Sequence, residues 1–344
     1  MKIGLVGYQG SGKSTLFEWL TGVPADPAHA HSGQSAMAAI PDPRLEKLAE
    51  VYRPKKVSHA ALEIVDTPGL SRTHEGNAGR LALLREAGCL VFVVAGFDAT
   101  DPAADLRGFD EDLMLADMEI LGGRVGRIEE TLGKPIPRPE KEQLKHEEET
   151  LKLVLSAIES GEPLREADLS DEQQKVTRAF RLLSEKPRMV VVNTADDEEH
   201  PERFQSLAAE DLPVVALPAR IELELSKMTP EERHEFEEEM GLESVDRDHV
   251  IRQLLAASGQ TLFFTGGDKE VRAWLLHRGG TALEAAEGIH SDMARGFIRA
   301  EVVSAEDLIR VGSEQEAKAQ HLMRQEPKTY VVQEGDVVLI RFSV

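Results

Sequence analysis

The segment Gly7–Ser14 (GYQGSGKS) constrains the fold of this chain more than any other feature, because it fits the pattern G-x-x-x-x-G-K-[ST]. It follows the short apolar run Lys2–Val6, which predicts a buried strand, and it precedes a predicted helix from Lys13 to about Thr21. Glycines let the backbone N–H groups of such a loop turn inwards around phosphates, and the following helix adds its N-terminal donors. This succession predicts a P-loop nucleotide-binding domain rather than a chance glycine-rich turn.

Two side chains of the loop have specific expected roles. Lys13 is placed to reach the β- and γ-phosphates, and the Ser14 hydroxyl is placed to bind Mg²⁺. Lys13 is also a candidate catalytic residue, because charge on the transferring phosphoryl group has to be neutralised. The loop residues expected to contact the nucleotide are Gly10, Ser11, Gly12, Lys13, Ser14 and Thr15.

The sequence Asp66-Thr67-Pro68-Gly69 follows a second predicted strand, Ala61–Val65. Asp66 is expected to hold Mg²⁺, usually through water, and the Gly69 N–H is expected to contact the γ-phosphate. Asp-x-x-Gly is also a common turn, but its position at the carboxyl end of a core strand favours the functional interpretation. The predicted metal ligands are therefore Ser14 and Asp66, and Gly69 is the second catalytic candidate.

A third loop, Asn193-Thr194-Ala195-Asp196, ends another predicted strand, Met189–Val192. Base-reading loops of nucleotide switches carry Asn-Lys-x-Asp here, and the aspartate accepts two hydrogen bonds from guanine. Asp196 keeps that carboxylate, whereas Thr194 replaces the lysine; Pro218, in the predicted backing loop, lacks an N–H donor. The nucleotide-binding residues predicted from these two loops are Asn193, Thr194, Asp196 and Ala219.

The order of the remaining elements indicates an α/β fold with two additions. Strands at Cys89–Val94 and about Pro213–Leu217 extend a parallel-type sheet of βα units. Between the third and fourth strands, an apolar stripe predicts a long helix that the proline-rich stretch Gly133–Pro139 ends. Two further helices are predicted at about Glu140–Glu159 and Asp171–Leu183, and we expect the charges of this insertion to form a solvated surface. The stripe consists of Met114, Met118, Leu121, Val125, Ile128 and Leu132.

The C-terminal section has a different pattern from the rest. Short apolar runs separated by glycine or proline turns predict four strands, and one short helix is predicted at Glu284–His290. The predicted strands are Leu262–Thr265, Val271–Leu276, Gly296–Val303 and Asp336–Val344. Together they indicate a compact α+β module.

Composition restricts the function classes further. The 344 residues carry 40 basic and 62 acidic side chains, a formal charge of −22, which argues against strong binding of free nucleic acid. Cys89 is the only cysteine in the sequence, which fits a reducing compartment. The N-terminus lacks the apolar core of a signal peptide, and no run approaches the roughly 20 apolar residues of a spanning helix. We therefore expect a cytoplasmic protein that does not bind membranes.

These motifs and several longer strings resemble the YchF family of Obg-like ATPases, P-loop proteins related to translation factors. The resemblance implies a G domain (1–109 and 187–258), interrupted by a helical, coiled-coil-like insertion (110–186) and followed by a ubiquitin-like TGS domain (259–344). The strings that carry it are Pro41–Ala49, Leu113–Glu119, Gln260–Trp274, Gly296–Val302 and Tyr330–Asp336.

The resemblance also implies slow, Mg²⁺-dependent hydrolysis of ATP, preferred over or comparable with GTP, by a ribosome-associated switch. The resemblance implies a hydrophobic residue where many GTPases have a catalytic glutamine, and Leu70 occupies that position. The family's histidine after the third strand has no counterpart in Ala95–Pro102, and the histidines of the predicted switch loops are His29, His31 and His74.

The same residues are compatible with two other functions. Asp196 restores the guanine-reading carboxylate, so a GTP-specific GTPase is the first alternative. The missing loop histidine favours the second, a nucleotide-gated interaction protein with negligible intrinsic hydrolysis. Competition between ATP and GTP tests the first alternative, and turnover with and without ribosomes tests the second. In the predicted first switch, Ala28–Ser35, the candidate ligands of Mg²⁺ or the γ-phosphate are Ser32 and Ser35.

Overall fold

A computed structural model describes residues 1–29, 32–97, 101–160, 169–209, 212–240 and 244–343. The strands are β1 (Lys2–Val6), β2 (Gln34–Ala39), β3 (Val57–Ser58), β4 (Ala61–Asp66), β5 (Cys89–Gly96), β6 (Arg188–Thr194), β7 (Val214–Leu217), β8 (Gln260–Thr265), β9 (Val271–His277), β10 (Phe297–Ser304), β11 (Arg324–Glu326) and β12 (Asp336–Phe342). The helices are α1 (Lys13–Thr21), α2 (Pro43–Tyr52), α3 (Asn77–Ala82), α4 (Pro102–Leu132), α5 (Arg138–Ser160), α6 (Asp171–Arg178), α7 (Ala219–Leu225), α8 (Pro230–Met240), α9 (Arg247–Ala257), α10 (Ala282–Ile289), α11 (Ser291–Arg295), α12 (Ala305–Val311) and α13 (Glu314–Ala319).

The first sheet has six strands in the order β2-β4-β1-β5-β6-β7. The pairs β1–β5, β5–β6 and β6–β7 are parallel, and every residue of β5 is buried, as expected for a strand covered on both faces. The five strands predicted for this sheet are confirmed. β2 was not predicted, because its apolar residues are alanines and one methionine, and it lacks the β-branched and aromatic residues typical of strands. The predicted site residues lie at the carboxyl ends of β1, β4, β6 and β7 and in the segments that follow them.

The chain divides into two compact units. One consists of Lys2–Ala36 and Ile64–Val245, and it contains all the residues predicted to bind nucleotide or metal. The other consists of Met1, Met37–Glu63 and Asp246–Val344. No helix among the described residues is both long enough and apolar enough to cross a membrane.

The helical part of the first unit matches its predicted pattern. α4 ends at Leu132, α5 begins at Arg138 after the proline-rich stretch, and α6 is shorter than predicted. α4, α5 and the segment after α6 share a hydrophobic core. Its buried residues are Leu121, Val125, Ile128, Leu151, Val154, Ala157, Ile158 and Leu182. The N-terminal part of α4 instead packs into the sheet core through Leu106, Phe109 and Leu113, so this helix is continuous across residue 110.

Two aspartates of α4 correct the expectation that the charges of the insertion are solvated. Asp112 is 3% exposed and Asp117 is fully buried. Asp117 accepts hydrogen bonds from Arg85 Nη1 (2.7 Å), from the Leu183 backbone N–H (3.0 Å) and from both the backbone N–H and the hydroxyl of Ser184. A buried carboxylate is stable only when it is paired in this way, and periodicity alone did not reveal those partners.

The second unit contains a six-stranded sheet in the order β11-β10-β12-β8-β9-β3. Its neighbours β8–β9 and β10–β12 are antiparallel, whereas β12–β8 is parallel, and α10 packs on a core that includes Phe263, Val302 and Val338. The four strands predicted beyond Gly259 are confirmed. β3 comes from far earlier in the chain and pairs with β9, so residues before Gly259 also contribute to this sheet.

Candidate nucleotide-binding site

The loop between β1 and α1 has the backbone shape that its glycines permit. Gly10 and Gly12 have φ angles of 84° and 94°, a region that favours glycine. A Cβ on Gly12 would lie 2.2 Å from Asn193 Nδ2, so a side chain there would also collide with β6. Gly12 caps α1 and has no side chain to occupy the N-terminal amides, and the first turn of α1 carries no acidic residue. These amides are therefore free to bind an anion.

Lys13 is buried beneath this loop, with 6% of its surface exposed. Its Nζ donates hydrogen bonds to the carbonyl oxygens of Gly7 (3.0 Å) and Tyr8 (3.1 Å). Burial lowers the pKa of Lys13 to about 8, and the nearby Asp66 carboxylate opposes that shift. Neither of these hydrogen-bond partners is anionic, and no other is found among the residues that the structure describes; a bound phosphate would supply an anionic one.

Ser14 and Asp66 form a direct pair, as the prediction of a shared metal site requires. The Ser14 hydroxyl donates to Asp66 Oδ2 at 2.6 Å, and Asp66 Oδ1 is buried without a hydrogen-bond partner among the described residues. Burial raises the pKa of Asp66, while the Ser14 hydrogen bond and the charge of Lys13 oppose the rise. A hydroxyl beside an unsatisfied carboxylate oxygen fits Mg²⁺, which prefers few protein ligands and completes its shell with water and phosphate oxygens.

The described residues hold no cluster of three or more His, Cys, Asp or Glu side chains able to bind a metal. A site of Ser14 and one carboxylate agrees with that finding, since Mg²⁺ bound with a nucleotide does not need an all-protein cage.

The predicted second switch, Ser71–Gly79, follows two residues that lie against the phosphate loop, Gly69 and Leu70. The Leu70 N–H donates to the Gly7 carbonyl at 2.9 Å, and the Gln9 N–H donates to the Leu70 carbonyl at 3.2 Å. A Cβ on Gly69 would lie 2.9 Å from Gln9 Cα, so only glycine fits here without a shift of the backbone. The Leu70 side chain is 3% exposed and belongs to the sheet core, so it does not point into the site.

The rest of this switch is held by carboxylates of α4. Arg72 forms a two-pronged ion pair with the buried Asp105 and lies over the ring of Tyr8. His74 Nδ1 lies 2.8 Å from Asp112 Oδ1, and Asn77 Nδ2 donates to Asp112 Oδ2 at the same distance. The Asp112 hydrogen bond and charge raise the pKa of His74. His74 is thus a structural contact of the second switch, and the residues of α4 that bind this switch were missed from sequence.

Among the described residues, no contact links the first-switch candidates His29, Ser32 and Ser35 to the pair formed by Ser14 and Asp66. His29 Nδ1 lies 3.3 Å from the Ser32 hydroxyl, and both residues are exposed. Ser35 lies on β2, and His31 falls outside the described residues. Gly33, with φ 80°, is the residue of this segment whose backbone runs beside Asp66: a Cβ there would lie 3.1 Å from the Asp66 carbonyl.

Asn193 links the phosphate loop to α7. Its Nδ2 donates to the Ser11 carbonyl at 3.2 Å, and its Oδ1 accepts from the Ala219 N–H at 3.0 Å. Both polar ends are therefore used within the protein, so its contribution in this structure is to position the loop. Asp196, by contrast, is exposed on the loop after β6, and Thr194 is buried. The sequence placed Asn193 and Ala219 at one site but did not indicate this bond.

Two further predicted ligands occupy different environments. Thr15 is half-buried in the first turn of α1, whereas the Ser11 hydroxyl is buried without a hydrogen-bond partner among the described residues. The loop after β5, where the family's histidine is missing, lies partly outside the described residues, at 98–100.

A strand, a glycine-rich loop and a helix, with the loop serine bonded to a carboxylate at the end of the neighbouring strand, define a P-loop nucleoside triphosphate-binding fold. Comparison with known proteins gives the family. The chain is 34% identical to "Ribosome-binding ATPase YchF" of Bacillus subtilis (strain 168) over 99% of each chain. The chain therefore belongs to the YchF family, and the resemblance drawn from its motifs is confirmed.

Other comparisons agree. "Obg-like ATPase 1" of Oryza sativa subsp. japonica is 32% identical, with 100% of this chain and 92% of that protein covered. A family model described as "50S ribosome-binding GTPase" matches residues 2–121, and YchF-GTPase_C, described as "Protein of unknown function (DUF933)", matches residues 261–343. The solved Schizosaccharomyces pombe YchF GTPase has a TM-score of 0.81 at 24% identity, covering 99% of this chain and 97% of that one. The predicted fold class, α/β with a P-loop domain, is confirmed.

Proposed function

We propose that this protein binds a purine nucleoside triphosphate together with Mg²⁺, hydrolyses it slowly, and acts as a ribosome-associated switch in the cytoplasm. ATP is bound at least as well as GTP. Ser14 and Asp66 hold the Mg²⁺, which supplies positive charge to the β- and γ-phosphates when it is bound. Lys13 and the N-terminal amides of α1 bind the phosphate oxygens, and the Gly69 N–H contacts the γ-phosphate.

The observation that carries this proposal is the state of three side chains at one loop. Within the described part of the chain, Lys13 is a buried cation bound only to carbonyl oxygens, Ser14 is bonded to Asp66, and Asp66 Oδ1 has no partner. Unsatisfied buried charge is costly, and a Mg²⁺–triphosphate complex supplies the missing partner of each group. Catalysis then follows from neutralising charge on the transferring phosphoryl group.

Calorimetric titration with MgATP and MgGTP tests the proposal. Lys13→Ala should abolish tight binding of both nucleotides and leave the fold intact, because the ammonium is a point charge for phosphates. Lys175→Ala, which removes an exposed lysine of α6 in the same unit, is the matched control and should bind as the wild type does. Unchanged affinity in the Lys13 variant would refute the assignment of the site.

Base preference follows from the loop after β6. Asp196 offers a carboxylate to guanine, but Thr194 cannot stack on the base as lysine does, and Pro218 gives no N–H. Adenine has no donor at N1, and an exposed Asp196 stays hydrated beside it. We expect the two affinities to differ by about tenfold or less, about 1.4 kcal/mol.

A GTP-specific enzyme is the second candidate, and the exposed carboxylate of Asp196 is the observation that favours it. GTP bound a hundredfold more tightly than ATP, with Asp196→Ala erasing the difference, would establish that alternative.

The ribosomal partner is inferred from the names of the relatives, "Ribosome-binding ATPase YchF" and "50S ribosome-binding GTPase". The full chain should co-sediment with ribosomes more strongly with a non-hydrolysable ATP analogue than with ADP, and Lys13→Ala should remove that difference. Deletion of residues 259–344 is a poor test, because Met37–Glu63 belongs to the same compact unit as these residues and would lose its packing partners. Equal co-sedimentation in both nucleotide states would contradict a switch.

A further inference from the structure

The position that orients water in many GTPases is filled here by a side chain that cannot do so. Leu70 follows Gly69, and its side chain is buried in the sheet core. Its backbone is fixed as well, since its N–H and carbonyl bond the phosphate loop at Gly7 and Gln9. A side chain of this protein that orients water at the site therefore has to come from another position.

Gln9 has the place and the freedom to be that group. Its Cα and Cβ would lie 2.9 Å and 3.3 Å from a Cβ on Gly69, so its side chain starts directly beside the residue assigned to the γ-phosphate. The carbonyl oxygen of the preceding residue, Tyr8, accepts a hydrogen bond from Lys13 Nζ at 3.1 Å. Gln9 thus lies between the lysine that binds the γ-phosphate and the glycine that contacts it.

The backbone of Gln9 is held while its side chain is free. The Gln9 N–H is bonded to Leu70, and the next turn is closed by a bond from the Ser11 N–H to the Tyr8 carbonyl at 3.2 Å. The Gln9 side chain is exposed, and its carboxamide makes no hydrogen bond to the described residues. A carboxamide has an acceptor oxygen and two N–H donors, so it can hold a water and a phosphate oxygen at once.

We propose that Gln9 is a catalytic residue of this chain, which orients the attacking water from the phosphate loop. The proposal rests on the function proposed above. Gln9 Oε1 accepts a hydrogen bond from the water, and Nε2 donates to a γ-phosphate oxygen. The water oxygen bonds to the γ-phosphorus, and the bond from that phosphorus to the β–γ bridging oxygen breaks. The diphosphate leaves with the electron pair, and the water proton passes to a γ-phosphate oxygen, giving dihydrogen phosphate.

Single-turnover hydrolysis of ATP with Mg²⁺ at saturating protein tests this role. Gln9→Ala should lower the rate at least about tenfold, because a misplaced reactant loses that much, while the affinity for a non-hydrolysable ATP analogue stays within about twofold. Gln9→Glu keeps the size of the side chain but has no N–H donor, and it should also be slow. Gln143→Ala changes an exposed glutamine of α5 in the same unit and is the matched control, with an unchanged rate.

The outcomes separate this inference from the proposed function. If the wild type hydrolyses ATP no faster than Lys13→Ala does, the proposed function fails and this role fails with it. If the wild type is active and Gln9→Ala or Gln9→Glu keeps the wild-type rate, only the role of Gln9 is refuted. A faster Gln9→Ala refutes it as well, since it would show that this side chain obstructs the γ-phosphate.

Discussion

The pKa of Lys13 makes nucleotide binding dependent on pH. Burial lowers this pKa to about 8, and among the described residues the ammonium donates hydrogen bonds to two carbonyl oxygens only. A bound triphosphate places anionic oxygens beside the ammonium and raises the pKa again, so binding takes up a proton wherever free Lys13 is partly neutral. Affinity is therefore expected to be full well below pH 8 and to fall as pH rises through this value.

The size of the effect can be calculated from that pKa. At pH 7.5 about three quarters of the Lys13 side chains are charged, and at pH 9.5 about 3% are, so affinity should fall about 25-fold between them. This corresponds to about 1.9 kcal/mol. The terminal phosphate of the nucleotide is already ionised at pH 7.5, because its last pKa is near 6. Its titration therefore adds nothing to the pH dependence of the affinity in this range.

Calorimetry with a non-hydrolysable ATP analogue and Mg²⁺, at half-unit steps from pH 7.5 to 9.5, measures this slope. Lys13→Ala is the control: its binding should be weaker and independent of pH across the same range. Circular dichroism at both ends of the range verifies that the protein stays folded. A change of less than about threefold in the wild type, or an equal slope in the variant, would refute the assignment of this titration to Lys13.

Two further predictions concern the buried carboxylates of α4. Asp112→Asn removes the charge that raises the pKa of His74, so the pKa of His74 measured by NMR titration should move down towards its ordinary value; an unchanged titration would contradict the contact. Asp117→Ala leaves the Arg85 guanidinium, which is largely buried, without its carboxylate and should lower the free energy of unfolding by about 3–5 kcal/mol in urea. Glu119→Ala, an exposed change on the same helix, should cost less than about 0.5 kcal/mol, and equal costs would contradict the reasoning.

The parts of the fold that could be predicted are those determined by local pattern. Short apolar strands alternating with helices gave the parallel sheet, and the three-and-four spacing with a proline-rich break gave α4 and α5. The secondary structure of residues 37–63 was harder to predict from the sequence. α2 has ordinary start signals, an Asp42 cap bonded to the Arg44 N–H and Pro43 in the first turn, and could have been predicted. β3 is two residues long, and its pairing with β9 depends on tertiary structure.

The candidate site likewise has features that local sequence patterns predict and features that depend on tertiary structure. That Lys13, Ser14 and Asp66 lie together was predictable, because the loop motif and the strand end place them at one edge of the sheet. The hydrogen bond that the Asn193 amide accepts from the Ala219 N–H was not predictable. It depends on where Ala219 lies after the chain has passed through β7. Asp112 was missed for a similar reason: a charge on a helix is usually solvated, and here two side chains of the second switch bury it.

The contacts of the second switch connect the phosphate loop to the helical part of the chain. Leu70 is bonded to the loop, Arg72 is paired with Asp105, and His74 is bonded to Asp112. These carboxylates lie on α4, a helix of 31 residues and about 46 Å at 1.5 Å per residue, whose far half forms the core shared with α5. On the proposed function, we expect a shift of this switch on loss of the γ-phosphate to be transmitted to α4. Asp105 and Asp112 are buried, so breaking their contacts with Arg72 and His74 would leave desolvated charge.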